Sequence, residues 1–153
     1  MDTQVIELVG RNRLVNELLE GGIEVALPMR DRGIDLLVYL DRGDDLEQFI
    51  AVPIQLKVSS GSRFTVQQKY SSFPNLLMVY LWGIGADEKA ETFALTQPEA
   101  VSIADTMGWT KTASWERGMY TAVISSKLRA LLEAYRITPP DWRAKLQQVM
   151  GRR

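Results

Sequence analysis

Residues 76–82 form an uninterrupted run of apolar and aromatic side chains, Leu-Leu-Met-Val-Tyr-Leu-Trp. A run of this length and continuity predicts a strand that is buried in the protein interior. It is too short to cross the hydrocarbon core of a bilayer, which needs about 20 apolar residues. The whole chain has 153 residues. That length fits one domain, able to bury about 70% of the surface exposed in the unfolded state.

The remaining hydrophobic patterns predict a leading helix, several strands and a helical C-terminal part. Strands are predicted over 23–28, 34–41, 48–59 and 91–96, with a turn over 42–45 and a short helix or irregular segment over 64–72. Helices are predicted over 4–20, 98–107, 123–136 and about 138–150. This order of elements predicts one α/β or α+β domain, built around a mixed sheet.

The composition excludes most of the common catalytic side chains. The chain contains no cysteine and no histidine. It therefore cannot form a disulfide, a thiolate zinc site or a Ser-His-Asp triad from its own residues. Catalysis by this chain would depend on carboxylates, lysine, hydroxyls, amides or a hard cation such as magnesium, calcium or manganese bound by oxygen ligands.

The charge of the chain is nearly balanced but unevenly distributed. The formal net charge is −1, yet the 39 residues from Gln48 to Ala86 contain no acidic side chain and include Lys57, Arg63 and Lys69. A locally basic face on a neutral protein is typical of phosphate binding, although core strands also carry few charges. The N-terminal residues lack the basic and then apolar pattern of a secretory signal, so we expect a cytoplasmic protein that does not enter a membrane.

Two predicted strands carry polar residues that a buried sheet does not require. Asp35 lies in the otherwise apolar segment 34–38, and Gln55 and Lys57 alternate with apolar residues. Residues i and i+2 of a strand point to the same face, so Gln55 and Lys57 share one face. If the two strands are antiparallel neighbours, Asp35 lies across from this pair. The alternative is an ordinary solvated strand face, with Asp35 at the start of a strand.

The leading helix, the segment GIDL at 33–36 and the segment QLK at 55–57 resemble the PD-(D/E)XK nuclease superfamily, in the Q-x-K variant of its motif. Relatives by resemblance include Holliday-junction resolvases and restriction endonucleases. The resemblance implies a restriction-endonuclease-like αβββαβ core over about 4–107, with a mixed sheet flanked by helices. It also implies a single nuclease-like domain over 1–153, in which about 123–150 form a C-terminal helical extension.

The resemblance implies a metal-dependent nuclease that hydrolyses phosphodiester bonds with Mg²⁺ or Mn²⁺. In that case Asp35 is the primary metal ligand, Gln55 the second, and the backbone carbonyl of Leu56 a third. Lys57 orients or deprotonates the attacking water, or stabilises the transition state. A base would need a lowered pKa, which a neighbouring carboxylate opposes, so we prefer the electrostatic role. A neutral amide at Gln55 supplies one negative charge fewer than a glutamate and predicts weaker metal binding.

The resemblance also implies a glutamate from the first helix, with Glu7 as the first candidate and Glu17 as the second. The alternative for Glu7 is an i,i+4 ion pair with Arg11 on the same helix. The residues expected to contact nucleic acid are Ser59, Ser60, Arg63, Lys69, Arg30 and Arg32. A polar loop after the third strand, and pairing of the two early arginines with Asp31, are the simpler alternatives.

Three functions remain open on the sequence. The first is a nuclease acting on DNA, with RNA as the other polymer. The second is an inactive nuclease-fold protein that serves as a nucleic-acid-binding or assembly subunit, and the third is an unrelated small α/β domain. A nuclease that cuts both strands predicts a homodimer, since two-fold dimers are the commonest assembly. The apolar stripe of the helix predicted over 123–136 fits either that interface or a cover for the sheet.

Overall fold

The structure is a computed structural model that describes residues 1–40, 49–86 and 89–151. Its centre is a five-stranded sheet in the order β1-β2-β3-β5-β6, in which β3 and β5 are parallel and the other pairs antiparallel. These strands are β1 (Glu24–Ala26), β2 (Leu36–Tyr39), β3 (Ala51–Val58), β5 (Leu77–Trp82) and β6 (Glu91–Thr96). The turn predicted over 42–45 lies outside the described residues.

Strand β5 explains why residues 76–82 are apolar throughout. Its six residues are all buried, because both faces of the sheet are covered. Leu77, Val79 and Leu81 pack in one core with the first and last helices of the chain. The alternate residues of β5 pack in a second core on the opposite face.

Helices cover both faces of the sheet. The core with Leu77 receives α1 (Thr3–Glu20) and α5 (Trp142–Met150). The opposite core receives α2 (Gln97–Thr106) and α4 (Ser126–Leu132), with the short α3 (Ala113–Glu116) between them in the chain. A mixed α+β fold with a mixed sheet flanked by helices is therefore confirmed.

Helix α1 lies unusually close to the end of β3. Gly10 faces Val58, and a Cβ atom added at Gly10 would lie 2.5 Å from Val58 Cγ1. Only glycine leaves room for this approach, because such contacts between carbon atoms normally measure about 3.5–4.0 Å. The approach fixes the position of the first turns of α1 relative to β3.

A second, two-stranded sheet differs from the prediction. Strands β4 (Arg63–Gln67) and β7 (Met119–Val123) pair antiparallel, and we call this pair the ribbon. Residues 64–72, predicted as a short helix or irregular segment, instead form most of β4 and a 3-10 helix over Gln68–Ser72. Strand β7 was not predicted, because its pairing partner is more than 50 residues away in the chain and its own pattern is short.

The C-terminal helices are shorter than predicted. The segment 123–136 contains α4 and a 3-10 helix over Glu133–Tyr135, and Ser125 caps α4 by accepting a hydrogen bond from Leu128 N. Leu128 and Leu132 are fully buried against the sheet. The apolar stripe of this segment thus covers the sheet of its own chain. Within the described residues, no helix has the length and apolarity needed to cross a membrane.

Candidate active site

Asp35 lies at the start of β2 and is held by the backbone of β3. Its amide N–H donates to the carbonyl of Ile54 at 2.9 Å. Its Oδ2 accepts a hydrogen bond from the amide of Leu56 at 2.6 Å. These two bonds lie on either side of Gln55 in β3 and fix the carboxylate next to it. Burial raises the pKa of the Asp35 carboxyl above its ordinary value, and the hydrogen bond from Leu56 opposes that rise.

Gln55 presents an amide oxygen with no partner. In the parallel pairing of β3 with β5, Gln55 is in register with Met78 and Lys57 with Tyr80. Both therefore point away from the core that contains α1. Gln55 Oε1 is buried, and no donor within the described residues hydrogen-bonds to it. A buried oxygen without a donor is costly, and a bound cation would satisfy it.

Lys57 is half-buried and has one positive and two negative neighbours, Lys69, Asp35 and Glu7. Its Nζ lies 5.9 Å from the centroid of the Tyr70 ring, and Lys69 Nζ lies 5.0 Å from the same ring. Burial lowers the pKa of the Lys57 amine, and Lys69 lowers it further. Asp35 and Glu7 act in the opposite direction. The amine is thus placed in a less hydrated environment, where its charge acts more strongly on a neighbouring anion.

A cleft of about 540 Å³ brings these residues together. Asp35, Gln55 and Lys57 line it from the sheet, and Glu7 lines it from α1. The close contact between Gly10 and Val58 places this turn of α1 beside the end of β3. Carboxylate, amide and ammonium groups therefore converge on one concave surface, as the antiparallel arrangement of β2 and β3 predicts.

The two glutamates proposed for α1 occupy different environments. Glu7 is exposed at the cleft. Glu17 accepts hydrogen bonds from the buried Thr92 hydroxyl at 3.0 Å and pairs with Arg13 at 3.3 Å. Burial raises the pKa of the Glu17 carboxyl. In the described part of the chain, Glu17 is not among the residues that line the cleft.

The residues expected to contact nucleic acid divide into two groups. Ser59 and Arg63 line the cleft, and the Ser59 hydroxyl also accepts a hydrogen bond from Gly61 N at 3.1 Å. Lys69 lies near Lys57, and both amines lie over the ring of Tyr70. Ser60, Arg30 and Arg32 are exposed, and none of them lines the cleft within the described residues.

The structure also places in the cleft residues that the sequence did not assign to the site, among them Asp31, Arg11 and Thr65. The nearby Asp31 carboxylate adds to the effect of burial in raising the pKa of the Asp35 carboxyl. A turn brings it there, in which Gly33 adopts a φ of +89° and donates to Asp31 Oδ1 at 3.3 Å. The glycine two residues after an aspartate was the available signal for this turn.

The oxygen donors in the cleft fit one hard divalent cation. They are the Asp35 carboxylate, the unpartnered amide oxygen of Gln55 and the backbone of the same strand. Within residues 1–40, 49–86 and 89–151, no group of three or more acidic side chains is arranged to hold a metal ion. The donor set is therefore poor in negative charge, which favours weak binding.

Comparison with known proteins finds one solved structure with a similar overall fold. No protein-family model matches the chain, and no curated protein matches it. A bacterial homing endonuclease, I-Ssp6803I, superposes with a TM-score of 0.54 over 99% of this chain and 98% of its own, at 15% sequence identity. This chain has a nuclease-like fold. At that level of identity the likeness extends to the fold alone, so the chemistry of the cleft has to be argued from its own residues.

Proposed function

We propose that this chain is a metal-dependent nuclease of the PD-(D/E)XK type, which hydrolyses phosphodiester bonds in DNA. The observation that carries the proposal is the convergence of Asp35, Gln55 and Lys57 on one cleft within a nuclease-like fold. A carboxylate, a free amide oxygen and an ammonium group provide cation binding and phosphate neutralisation without histidine or cysteine. These are the requirements of phosphodiester hydrolysis.

Asp35, Gln55 and the backbone carbonyl of Leu56 would hold Mg²⁺ or Mn²⁺. When bound, such an ion neutralises phosphate charge and lowers the pKa of a coordinated water. The hydrogen bond from Leu56 N fixes one oxygen of Asp35. The carboxylate therefore needs little reorientation to act as a ligand.

Lys57 acts as an electrostatic group beside the scissile phosphate. Its amine is half-buried and faces the same cleft as Asp35. Negative charge increases on the phosphate oxygens as the attacking oxygen approaches, and a preorganised cation stabilises that charge more than it stabilises the substrate. Glu7, which lines the cleft from α1, accepts a hydrogen bond from the attacking water and so orients that water.

Arg63 and Ser59 extend the phosphate-binding surface on one side of this centre, and Arg11 extends it on the helix side. Lys69 contributes a further positive charge beside the Tyr70 ring. No residue between Gln48 and Ala86 is acidic, so this segment adds no charge that repels a polyanion, and the carboxylates of the cleft come from Glu7, Asp31 and Asp35.

The proposal is tested by incubating supercoiled plasmid and branched DNA with the full chain in Mg²⁺ or Mn²⁺. Asp35→Ala and Lys57→Ala should each reduce the cleavage rate by at least about 100-fold, as is usual when a preorganised charge is removed. Glu17→Gln is the matched control, because Glu17 belongs to the same helix as Glu7 but lies away from the cleft. Cleavage that is unchanged in both alanine variants comes from a contaminant and refutes the proposal.

The same experiment separates an enzyme from a binding protein. Salt-dependent DNA binding without cleavage in any divalent cation would support the inactive nuclease-fold alternative. Cleavage of both strands of a duplex in one binding event would fit two copies of the chain, each of which cuts one strand. Light scattering of the protein with its DNA then measures whether a dimer forms.

A further inference from the structure

The outward face of the ribbon is unlike an ordinary solvated face. Its six outward residues form three cross-strand pairs, Arg63 with Val123, Thr65 with Thr121, and Gln67 with Met119. No carboxylate and only one charged side chain occurs among them. Val123 is 67% exposed and Met119 45% exposed. Exposed edge strands usually carry several charges that prevent association, so this composition calls for another explanation.

The ribbon is fixed to the body of the protein through its backbone. Trp82 Nε1 donates to the carbonyl of Arg63 at 2.9 Å, and the Tyr80 hydroxyl donates to that of Thr65 at 2.6 Å. Gln97 Nε2 donates to the carbonyl of Gln67 at 2.7 Å. All three donors are at least 98% buried. Every outward residue of β4 is thus held through its main-chain carbonyl by one buried donor, a support that does not involve its side chain.

The outward face is continuous with the cleft. Arg63 and Thr65 line the cleft together with Asp35 and Lys57. The Thr65 and Thr121 hydroxyls lie 2.6 Å apart and continue the face across the ribbon. A nucleic acid with a phosphate at Lys57 would therefore extend along the ribbon.

We propose that the ribbon enters the major groove of duplex DNA and reads base edges beside the cleavage site; this inference rests on the proposed nuclease function and adds its specificity. The major groove accepts a two-stranded ribbon, whereas that of A-form RNA is too narrow. Arginine pairs with guanine, glutamine with adenine and threonine with either, while apolar side chains contact the thymine methyl group. Five of the six outward residues are of these types: Arg63, Thr65, Thr121, Val123 and Met119. The Gln67 amide is already engaged, because its Nε2 donates to Met119 Sδ at 3.5 Å and its Oε1 is buried.

The test is selection from a library of duplexes with about 20 random base pairs, using the full chain in EDTA so that cleavage does not interfere. The wild-type chain should enrich a defined sequence. The double variant Thr65→Ala/Thr121→Ala should relax the preference about tenfold at one or more positions. Thr65→Ser/Thr121→Ser keeps both hydroxyls and should keep the preference. Gln147→Ala, an exposed glutamine on α5, is the matched control.

Several outcomes overturn the inference. They are no enrichment by the wild-type chain, an identical preference in the alanine variant, uniform weakening on all sequences, and tighter binding of duplex RNA. Asp35→Ala should keep the sequence preference. Selective binding by a chain that never cleaves refutes the nuclease function and leaves the ribbon inference standing. Cleavage with a sequence preference that the ribbon variants do not change refutes the ribbon inference and leaves the nuclease function standing.

Discussion

The contact between Gly10 and Val58 leads to a prediction in which two physical effects have opposite signs. Replacing a glycine in a helix by alanine normally stabilises the helix by about 1 kcal/mol. At Gly10, however, the new Cβ would lie 2.5 Å from Val58 Cγ1 and 2.6 Å from Cγ2. Relief of this overlap requires α1 to move away from β3 by about 1 Å, since carbon contacts measure about 3.5–4.0 Å.

The overlap should prevail over helix propensity. Overpacking of a well-packed site costs about 1–3 kcal/mol, and valine, branched at Cβ, cannot turn its methyl groups away freely. After the helix gain is subtracted, Gly10→Ala should lower the free energy of unfolding by about 1 kcal/mol and the thermal midpoint by about 2–4 °C. Glu7 lies one turn earlier and lines the cleft, so the displacement should also slow the proposed cleavage reaction.

Urea and thermal unfolding of four chains measure the effect: wild type, Gly10→Ala, Val58→Ala and the double variant. The double variant should be more stable than the sum of the single changes predicts, because alanine at 58 removes the overlapping methyl groups. Asn16→Ala, at an exposed position of α1, is the propensity control and should be slightly stabilising. If Gly10→Ala stabilises the protein as Asn16→Ala does, and shows no coupling to Val58, the argument from close approach is refuted.

Three further results are expected. Gln55→Glu should strengthen Mg²⁺ binding, measured by calorimetry, because it adds a negative charge where the buried amide oxygen lies; equal or weaker binding would contradict a metal at this oxygen. Glu7→Gln should slow cleavage with little change in unfolding, whereas Glu17→Gln, which disturbs the bond with Thr92, should lower stability with little change in cleavage; the reverse pattern would exchange their roles. Hydrogen bonds from Arg129 and Arg136 hold the pKa of Glu91 below its ordinary value of 4.5. The ionised carboxyl therefore stabilises the fold above that pH, and the contribution is lost as the pH falls through the lowered pKa. Glu91→Gln should flatten the acid side of a plot of unfolding free energy against pH. An unchanged plot would show that the bonds of Glu91 with Arg129 and Arg136 contribute nothing to stability.

The parts of this structure that the sequence could predict depend on local periodicity. The alternation at Gln55 and Lys57 was enough to assign their common face, and the continuous apolar run at 76–82 was enough to identify a strand covered on both sides. The relation of Asp35 to Gln55 needed only the assumption that neighbouring strands in the chain pair antiparallel. These inferences concern residues within one strand or in consecutive strands, whose relative positions follow from strand geometry and from the pairing of sequential strands.

The parts that were not predicted depend on distant contacts. Strand β4 has too few residues for a clear pattern, and its partner β7 lies more than 50 residues away, so neither strand indicates the other. Asp31 reaches the cleft only through a turn at Gly33. The reason for a glycine at position 10 becomes apparent only from its contact with Val58. In each case the partner is fixed by tertiary packing.

The anchoring of β4 by Trp82, Tyr80 and Gln97 also affects how this protein can change over time. The three donors bind main-chain carbonyls, which every amino acid possesses. Substitutions at the outward positions of β4 can therefore accumulate while the support beneath them stays the same. A laboratory library randomised at those positions should therefore yield mostly folded members, and on the proposed role of the ribbon those members would differ in the DNA sequence they prefer.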